Sequence, residues 1–380
     1  MESNISTPSN FVDLAPVNTG AGTLPRAPIA PNSPLAQTQK NALSQLADSD
    51  FPEAIWNLGG VFLYDESAKL LYDFARENFP RRNAAIAELH GAPPCAWTLD
   101  WFQARPLISP GKIAERLKKI ITVPAEFVLA LDNPCVPEEL LGDAIGNTLL
   151  TFAAQMPRAS VSVASETLAV HIRSKFPKLK LRAGTNKAIA ENGRGNADYY
   201  RKSAENFAVV ALHPDDFRNF ALLENLANAG CAEKFEITVN DSCVRDCAVR
   251  EQHMRVLAEI RQNPWSAELL RKRHALLAQA RCEEVCGVPA RAADVPQAAL
   301  LPREILRKIY ALGFRRFRIQ AEALRSEAAF FFSAFNRLFS DKAENWHHRG
   351  LVANAMITKI LEPAPALTSG LSPLGKRKYD

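Results

Sequence analysis

Short apolar runs recur through the middle of the chain and alternate with longer segments of helical character. Their length of four to six residues and their aromatic and β-branched content are typical of buried strands. Six such runs occupy residues 127–131, 160–164, 179–182, 207–212, 235–239 and 314–319. Upstream, residues 55–63 and 96–101 are candidates for additional strands.

Helical segments fill the intervals between these runs. They are a helix that starts at Pro137, segments 166–176 and 214–229, a long stretch over 248–280, and a short helix over 302–312. Strict alternation of strand and helix implies parallel strands joined by right-handed crossovers. Six to eight such units suit an α/β fold of the TIM-like (β/α) barrel type, complete or modified, over residues 50–345.

The two ends of the chain differ in composition from this middle region. Residues 1–45 contain six prolines among Ser, Thr, Asn and Ala, and such a segment cannot bury enough apolar surface to fold alone. Residues 363–380 are similar and close on the basic run Gly375-Lys-Arg-Lys378. We therefore expect a disordered proline-rich leader and a disordered basic tail.

The composition of the 380 residues excludes several classes of protein. Net charge is +5, from 46 basic and 41 acidic side chains, which is too small an imbalance for a nucleic-acid coat. No apolar run reaches the roughly 18 residues that cross a bilayer, and the first residues lack a secretory signal pattern. These observations predict a cytoplasmic protein without a membrane partner, whose seven cysteines are reduced thiols. No glycine-flanked serine nucleophile is present, so a serine hydrolase is not supported.

Polar residues follow almost every predicted strand. Barrel enzymes place their sites at the carboxyl ends of the strands, so these residues are candidates for ligand contact, although turn preferences also favour them there. Asp132, Asn133 and Asn240 are candidate catalytic groups, with Asp132 as a general base. Thr185 and Lys187 are candidate substrate-binding groups.

Two pairs of cysteines form the main chemical signal. Cys243 and Cys247 follow the strand at 235–239, and Cys282 and Cys286 repeat the same spacing after 34 intervening residues. A spacing of four places two sulfurs on one side of a turn, where they could bind one metal. Four thiolates suit an iron–sulfur cluster or a tetrahedral zinc, and the three-residue gap favours iron–sulfur. The alternative is that the cysteines are buried side chains without a metal.

Basic side chains accompany the cysteines and the later strands. Arg250 and His253 follow the first pair, where they could bind a cluster sulfur or a substrate anion, with His253 as a candidate catalytic group. Two basic stretches, 173–187 and 303–325, include the alternating Lys178, Lys180 and Arg182 and the candidate substrate-binding Arg318. If both stretches lie at one rim they could hold RNA or a phosphorylated substrate, and otherwise they are solvated surface charge.

The segment from Phe235-Glu-Ile-Thr-Val-Asn to Cys243, with Cys247, Arg250 and His253, resembles the collagenase-like peptidase U thirty-two family. In that family a strand of the form Glu-x-x-Val-Asn leads into cysteines followed by an Arg and a His. Residues 301–320 resemble its closing helix–strand unit, and the resemblance covers about 127–340. Two motifs differ: Asn240-Asp241-Ser242 stands in place of His-Gly, and Arg318-Ile-Gln-Ala-Glu322 in place of Lys-Ile-Glu-Gly-Arg.

The resemblance implies a modified TIM barrel in which Cys243, Cys247, Cys282 and Cys286 hold an iron–sulfur cluster. It implies oxygen-independent hydroxylation of an RNA base or a small aromatic molecule, and some members of the family are classed as peptidases. Our leading hypothesis is therefore an iron–sulfur barrel enzyme acting on RNA or a small molecule. The alternatives are a non-catalytic barrel that binds a protein or nucleic-acid partner with structural zinc or no metal, and a peptidase.

Overall fold

Within the described part of the chain, eight parallel strands form a closed barrel in which each strand pairs with the next and β8 pairs with β1. The computed structural model describes residues 51–78, 86–99, 110–241, 243, 245–263, 265–280, 301–320 and 338. The strands are β1 (Ile55–Leu58), β2 (Glu88–Gly91), β3 (Glu126–Leu131), β4 (Ala159–Val163), β5 (Lys180–Ala183), β6 (Val209–Ala211), β7 (Phe235–Thr238) and β8 (Arg316–Ile319). The predicted (β/α) barrel is confirmed.

Helices connect successive strands, and polar caps fix where several of them begin. The helices are α1 (Asp65–Asn78), α2 (Pro110–Ile120), α3 (Ala144–Gln155), α4 (Glu166–Lys175), α5 (Thr185–Ala190), α6 (Ala197–Asn206), α7 (Phe220–Asn228), α8 (Arg250–Gln262), α9 (Ala267–Gln279) and α10 (Arg303–Ala311). Single 3₁₀ turns lie at Glu138–Gly142, Pro214–Arg218 and Ala232–Lys234. Ser165 caps α4 and Asn196 caps α6, each accepting a backbone N–H of the first turn.

Three expectations about the elements were wrong in detail. Residues 96–99 form a turn and a loop instead of a strand, and residues 100–101 lie outside the described residues. The strand that occupies this place in the barrel is β2, which the apolar pattern missed. The stretch 248–280 divides into α8 and α9, because Ser266 accepts the Leu269 N–H and starts a new helix there. Similarly, residues 214–229 divide at Asn219, which caps α7.

The interior of the barrel is charged, and this explains why β2 was missed. Glu88 of β2 binds Arg182 of β5 across the barrel at 2.8 Å, and these strands are not neighbours in the sheet. Glu236 of β7 binds the same guanidinium at 3.1 Å and accepts a hydrogen bond from Asn57 of β1 at 2.9 Å. The inner face of β2 is therefore polar, so the strand has no apolar run that a sequence pattern could detect.

The apolar core lies outside the strands, between the barrel and its helices. Trp56 of β1 and Phe317 of β8 point outward, with ring centroids 5.4 Å apart, and Phe51 packs on both rings. Leu129 of β3 and Val161 of β4 are fully buried on the same side of the sheet. Burial of these outward faces supplies the main hydrophobic stabilisation, while the inner faces are left for polar contacts.

Helix α8 lies across the carboxyl end of the barrel. It begins after β7, and Arg261 near its end donates to the Cys95 carbonyl in the loop after β2, at 2.9 Å. Met254 and Leu257 in its middle pack against Leu99, after β2, and Ile189, after β5. Because all of these loops follow the carboxyl ends of strands, α8 covers the end of the barrel where barrel proteins place their sites.

None of the described helices is long and apolar enough to cross a membrane. The predicted leader at 1–45 and tail at 363–380 lie outside the described residues, so their expected disorder stays a prediction.

Candidate active site at the carboxyl end of the barrel

Cys243 and Cys247 lie together in the loop between β7 and α8. Neither cysteine is in a disulfide, and the two thiols are hydrogen-bonded to each other. Arg250, in the first turn of α8, donates from Nε to the Cys243 sulfur at 3.2 Å. The structure thus brings together the first predicted pair of cysteines and the predicted arginine.

Asp215 positions the arginine from the loop after β6. Its two carboxylate oxygens accept from Nη1 and Nη2 of Arg250 at 2.7 and 3.0 Å, and the pair is buried, with side-chain exposures of 2% and 4%. This two-point geometry gives a planar, charge-assisted contact. Nε2 of His213 lies 3.4 Å from Nη1 of Arg250. Burial, and then the charge of Arg250, lower the pKa of His213 to about 4, so this ring is neutral at pH 7.

The loop between the two cysteines is anchored on the same aspartate. Asp246 donates its backbone N–H to Oδ1 of Asp215 at 3.0 Å and adopts a left-handed conformation with φ of 56°. Aspartate tolerates this conformation better than most residues. An open cavity of about 480 Å³ lies beside the loop, with Arg194, Arg245 and Asp246 among its lining residues. A small molecule could therefore approach the loop of the thiol pair from solvent.

The Cys243 thiol is protonated when no metal is bound. The hydrogen bond with Cys247 and burial together raise the pKa of Cys243 well above its usual value, and the charge of Arg250 opposes them. A metal would have to displace this proton, because the thiolate is the ligand form. Arg250 would then face a negatively charged sulfur, a favourable arrangement for a guanidinium.

Cysteine thiolates are suitable ligands for zinc or an iron–sulfur cluster, but the described residues supply only some of the ligands that such a site needs. They contain no group of three or more His, Cys, Asp or Glu side chains that could hold a metal ion. Cys243 and Cys247 supply two of the four thiolates that a typical cluster needs. The other predicted ligands, Cys282 and Cys286, lie outside the described residues.

A second polar cluster lies inside the barrel below α8. Arg318 of β8 donates from Nη2 to the hydroxyls of Thr185 and Thr238, both at 2.9 Å. Its Nη1 lies 3.4 Å from Nε2 of His90 and 3.5 Å from Oε1 of Glu236. Although burial raises the pKa of Glu236, the charges of Arg318 and Arg182 lower it to about 2. Two predicted substrate-binding residues, Thr185 and Arg318, are thus in direct contact.

Three predicted catalytic residues hold the loops at the barrel end. Asp132 accepts the Leu99 N–H at 2.8 Å, and Asn133 is fully buried and donates to the Ala96 carbonyl at 3.0 Å. Asn240 joins the ends of β7 and β8, because its amide donates to the Gln320 carbonyl at 2.8 Å and accepts the Gln320 N–H at 2.7 Å. Each of these side chains therefore holds loops together at the end of the barrel. Their predicted catalytic roles stay predictions.

Two other predicted residues point away from the thiol pair. Lys187 forms ion pairs with Glu166 at 2.9 Å and Glu191 at 2.6 Å, beside the helices. His253 is buried, and burial followed by the charge of Arg273 of α9 lowers its pKa to about 4. Its surroundings are therefore those of the α8–α9 contact.

Sequence reasoning also misplaced part of the basic stretches. Arg182 and Arg318 were considered for a basic rim, but they lie inside the barrel with the carboxylates Glu88 and Glu236. Asp215 and His90 were missed as site residues. Asp215 had one usable signal, its position two residues after His213 at the end of a predicted strand. His90 had none, because β2 itself was not recognised.

The fold and the positions of these side chains define a closed (β/α) barrel protein whose candidate site lies at the carboxyl ends of its strands. Among solved structures, the U32 peptidase Mk0906 is similar, with a TM-score of 0.42 and 11% sequence identity over 72% of this chain and 94% of that one. The sequence matches no protein-family model, and no curated protein matches it at a significant level.

Proposed function

We propose that this chain is a barrel enzyme in which Cys243 and Cys247, completed by Cys282 and Cys286, bind an iron–sulfur cluster. Its substrate is an RNA base or a small aromatic molecule, and the reaction is of the oxygen-independent hydroxylation type. The observation that carries the proposal is the contact of the Cys243 thiol with both the Cys247 thiol and the Nε–H of Arg250, at the carboxyl end of the barrel.

Three further features support this assignment. The thiol pair occurs at the end of the barrel where such folds place their sites. A buried arginine donating to a cysteine sulfur is a means of tuning a thiolate-bound metal. In addition, the sequence around the pair resembles a family in which several members carry a cluster at four cysteines.

When bound, the cluster would supply electron transfer to or from the substrate. The chain itself would supply the remaining functions. The positive charge of Arg250 would stabilise the Cys243 thiolate. Asp215 would keep Arg250 in position through the two hydrogen bonds that it accepts. His213, whose pKa is about 4, would stay neutral beside this pair and would not add a second positive charge to it.

The test is reconstitution of the full chain with ferrous iron and sulfide under anaerobic conditions. We expect a brown protein with visible absorbance and an electron paramagnetic resonance signal after reduction. Cys243→Ser, Cys247→Ser, Cys282→Ser and Cys286→Ser should each lower bound iron. Cys231→Ser is the matched control, because Cys231 precedes β7 at the opposite end of the barrel and donates to the Leu226 carbonyl at 3.4 Å.

Other results would contradict the proposed function or favour an alternative. Bound iron that survives Cys243→Ser would exclude the thiol pair as a ligand, and a colourless chain that binds no iron would exclude the cluster. Stoichiometric zinc lost on the same substitution would indicate a structural zinc site in a non-catalytic barrel. Peptide cleavage by the metal-free chain would favour the peptidase.

A further inference from the structure

The polar cluster inside the barrel has the composition of a ligand site. We call Arg318, Thr238, Thr185 and Gln320 the barrel floor; they come from β8, the end of β7, the start of α5 and the residue after β8. We propose that the barrel floor binds the carboxylate group of a small molecule with an apolar body. The site is built by the strands and α5, so a ligand could bind there with or without a metal at Cys243.

The guanidinium of Arg318 is fixed by neutral partners. Nη2 and Nε donate to the Thr238 hydroxyl at 2.9 and 3.2 Å, and Nη2 also donates to Thr185 at 2.9 Å. Hydroxyl groups orient the fork without cancelling its charge. The carboxylate of Glu236 lies 3.5 Å from Nη1, but it is shared with Arg182 at 3.1 Å. Arg318 therefore keeps positive charge for an oxyanion, in a planar fork that matches a carboxylate.

The two threonines add donors to that fork. A hydroxyl that accepts a hydrogen bond still carries one proton that it can donate. Thr185 and Thr238 both accept from Arg318, and within the described ranges no acceptor takes either hydroxyl proton. Because both hydroxyls contact Nη2 of Arg318, their protons lie in one small region. Thr238 is buried there and Thr185 is half-buried. Such convergent donors are what a carboxylate oxygen requires.

Gln320 supplies a fourth polar group. It follows Arg318 by two positions, directly after the end of β8. Its backbone is fixed by the hydrogen bond from its N–H to Asn240 at 2.7 Å. Its side-chain oxygen is buried and finds no hydrogen-bond partner among the residues that the structure describes. A buried acceptor of this kind is costly unless a donor completes it, so a water or an N–H or O–H group on the body of the ligand, and not its carboxylate, would meet this oxygen.

The wall beside the floor is apolar. Ile189 lies one helical turn after Thr185, on the same side of α5, and packs with Leu99, Met254 and Leu257. A ligand held by Thr185 would therefore meet this apolar cluster below α8. A singly charged carboxylate suits the floor better than a doubly charged phosphate, because Glu236 lies close enough to repel a second negative charge.

The experiment is a titration of the metal-free full chain with benzoate, followed by calorimetry and by thermal unfolding. Benzamide, which has the same shape without the charge, is the matched control ligand. We expect saturable binding and a raised midpoint with benzoate, and affinity at least about tenfold weaker for benzamide. Equal affinity for the two compounds, or binding of neither, would overturn the proposal.

Two variants locate the site. Thr185→Val keeps the side-chain shape and removes one donor, so it should weaken benzoate binding about tenfold. Thr148→Val is the matched control, since Thr148 is exposed on α3 and donates to the Ala144 carbonyl. Arg318→Met removes the positive charge and should abolish the preference for benzoate over benzamide, and if that variant does not fold, Thr185→Val still decides. Unchanged benzoate affinity in Thr185→Val would place the ligand elsewhere and contradict the proposal.

Discussion

Arg250 joins the Cys243 thiol to the Asp215 carboxylate, with Nε 3.2 Å from the sulfur and Nη1 2.7 Å from the carboxylate oxygen. One guanidinium therefore connects the loop after β6 to the loop after β7. Because the ion pair is buried, removal of one partner leaves a charge that is poorly compensated. The ion pair therefore stabilises the fold and also positions the residues of the candidate active site.

Arg250→Met should destabilise the protein by about 3 kcal/mol, because the buried Asp215 would lose its two-point partner and keep only the longer ion pair with Arg194 at 3.5 Å. Unfolding in urea, followed by circular dichroism, measures this loss. Arg255→Met is the control: Arg255 pairs with Glu251 on the exposed side of α8, and such pairs contribute at most about 1 kcal/mol. Equal losses in the two variants would contradict the buried role of Arg250.

Arg182→Met should cost about 3–5 kcal/mol, since Glu88 and Glu236 would lose the cation that they share and keep only their separate ion pairs with Arg316 and Arg318. Adding Glu88→Gln to that variant should restore part of the loss by removing one of the two charges. Denaturant unfolding of the single and double variants measures the coupling. A double variant less stable than Arg182→Met would show that repulsion is not the cause.

Stability should fall in mild acid partly because of His253. Burial and Arg273 lower its pKa to about 4, whereas an unfolded histidine titrates near 6.5. The folded state therefore favours the neutral ring, and its contribution is present above about pH 6.5 and is lost as the pH falls to about 4. The loss is on the order of 2–3 kcal/mol.

The free energy of unfolding measured from pH 7 to pH 4 tests this effect. His253→Gln should show a shallower decline than the unsubstituted chain, while the remaining decline includes that of His213. His274→Gln, at an exposed histidine of α9, is the matched control and should keep the full decline. Identical slopes for the chain and His253→Gln would remove His253 from the acid response.

Gly146→Ala should destabilise α3 against the loop after β2. A methyl group at Gly146 would overlap the ring of Trp97, which is fully buried and donates to the Leu140 carbonyl at 2.8 Å. Overpacking of this kind costs about 1–3 kcal/mol. Gly142→Ala is the control, since a methyl group there meets no atom within 4 Å. Thermal unfolding should separate the two variants, and a midpoint for Gly146→Ala equal to that of Gly142→Ala would show that the Trp97 ring can move aside.

The sequence by itself determined the barrel and the end of it that carries the site. Apolar runs occur at seven of the eight strand positions, with helices between them, and this alternation predicts parallel strands. In a parallel barrel the polar residues that follow the strands all lie at the same end. The contact of Cys243 with Cys247 was also foreseeable, because four residues of chain place both in one turn.

Only the tertiary structure decided which charges lie inside. Glu88 and Arg182 are separated by 94 positions, and Arg318 and Thr185 by 133, so no local pattern marks them as partners. Arg182 alternates with leucine as a surface strand residue would, yet it points inward because two buried carboxylates on distant strands compensate its desolvation. The same closure of the barrel places Asp215 beside Arg250, since only the pairing of β6 with β7 brings their loops together.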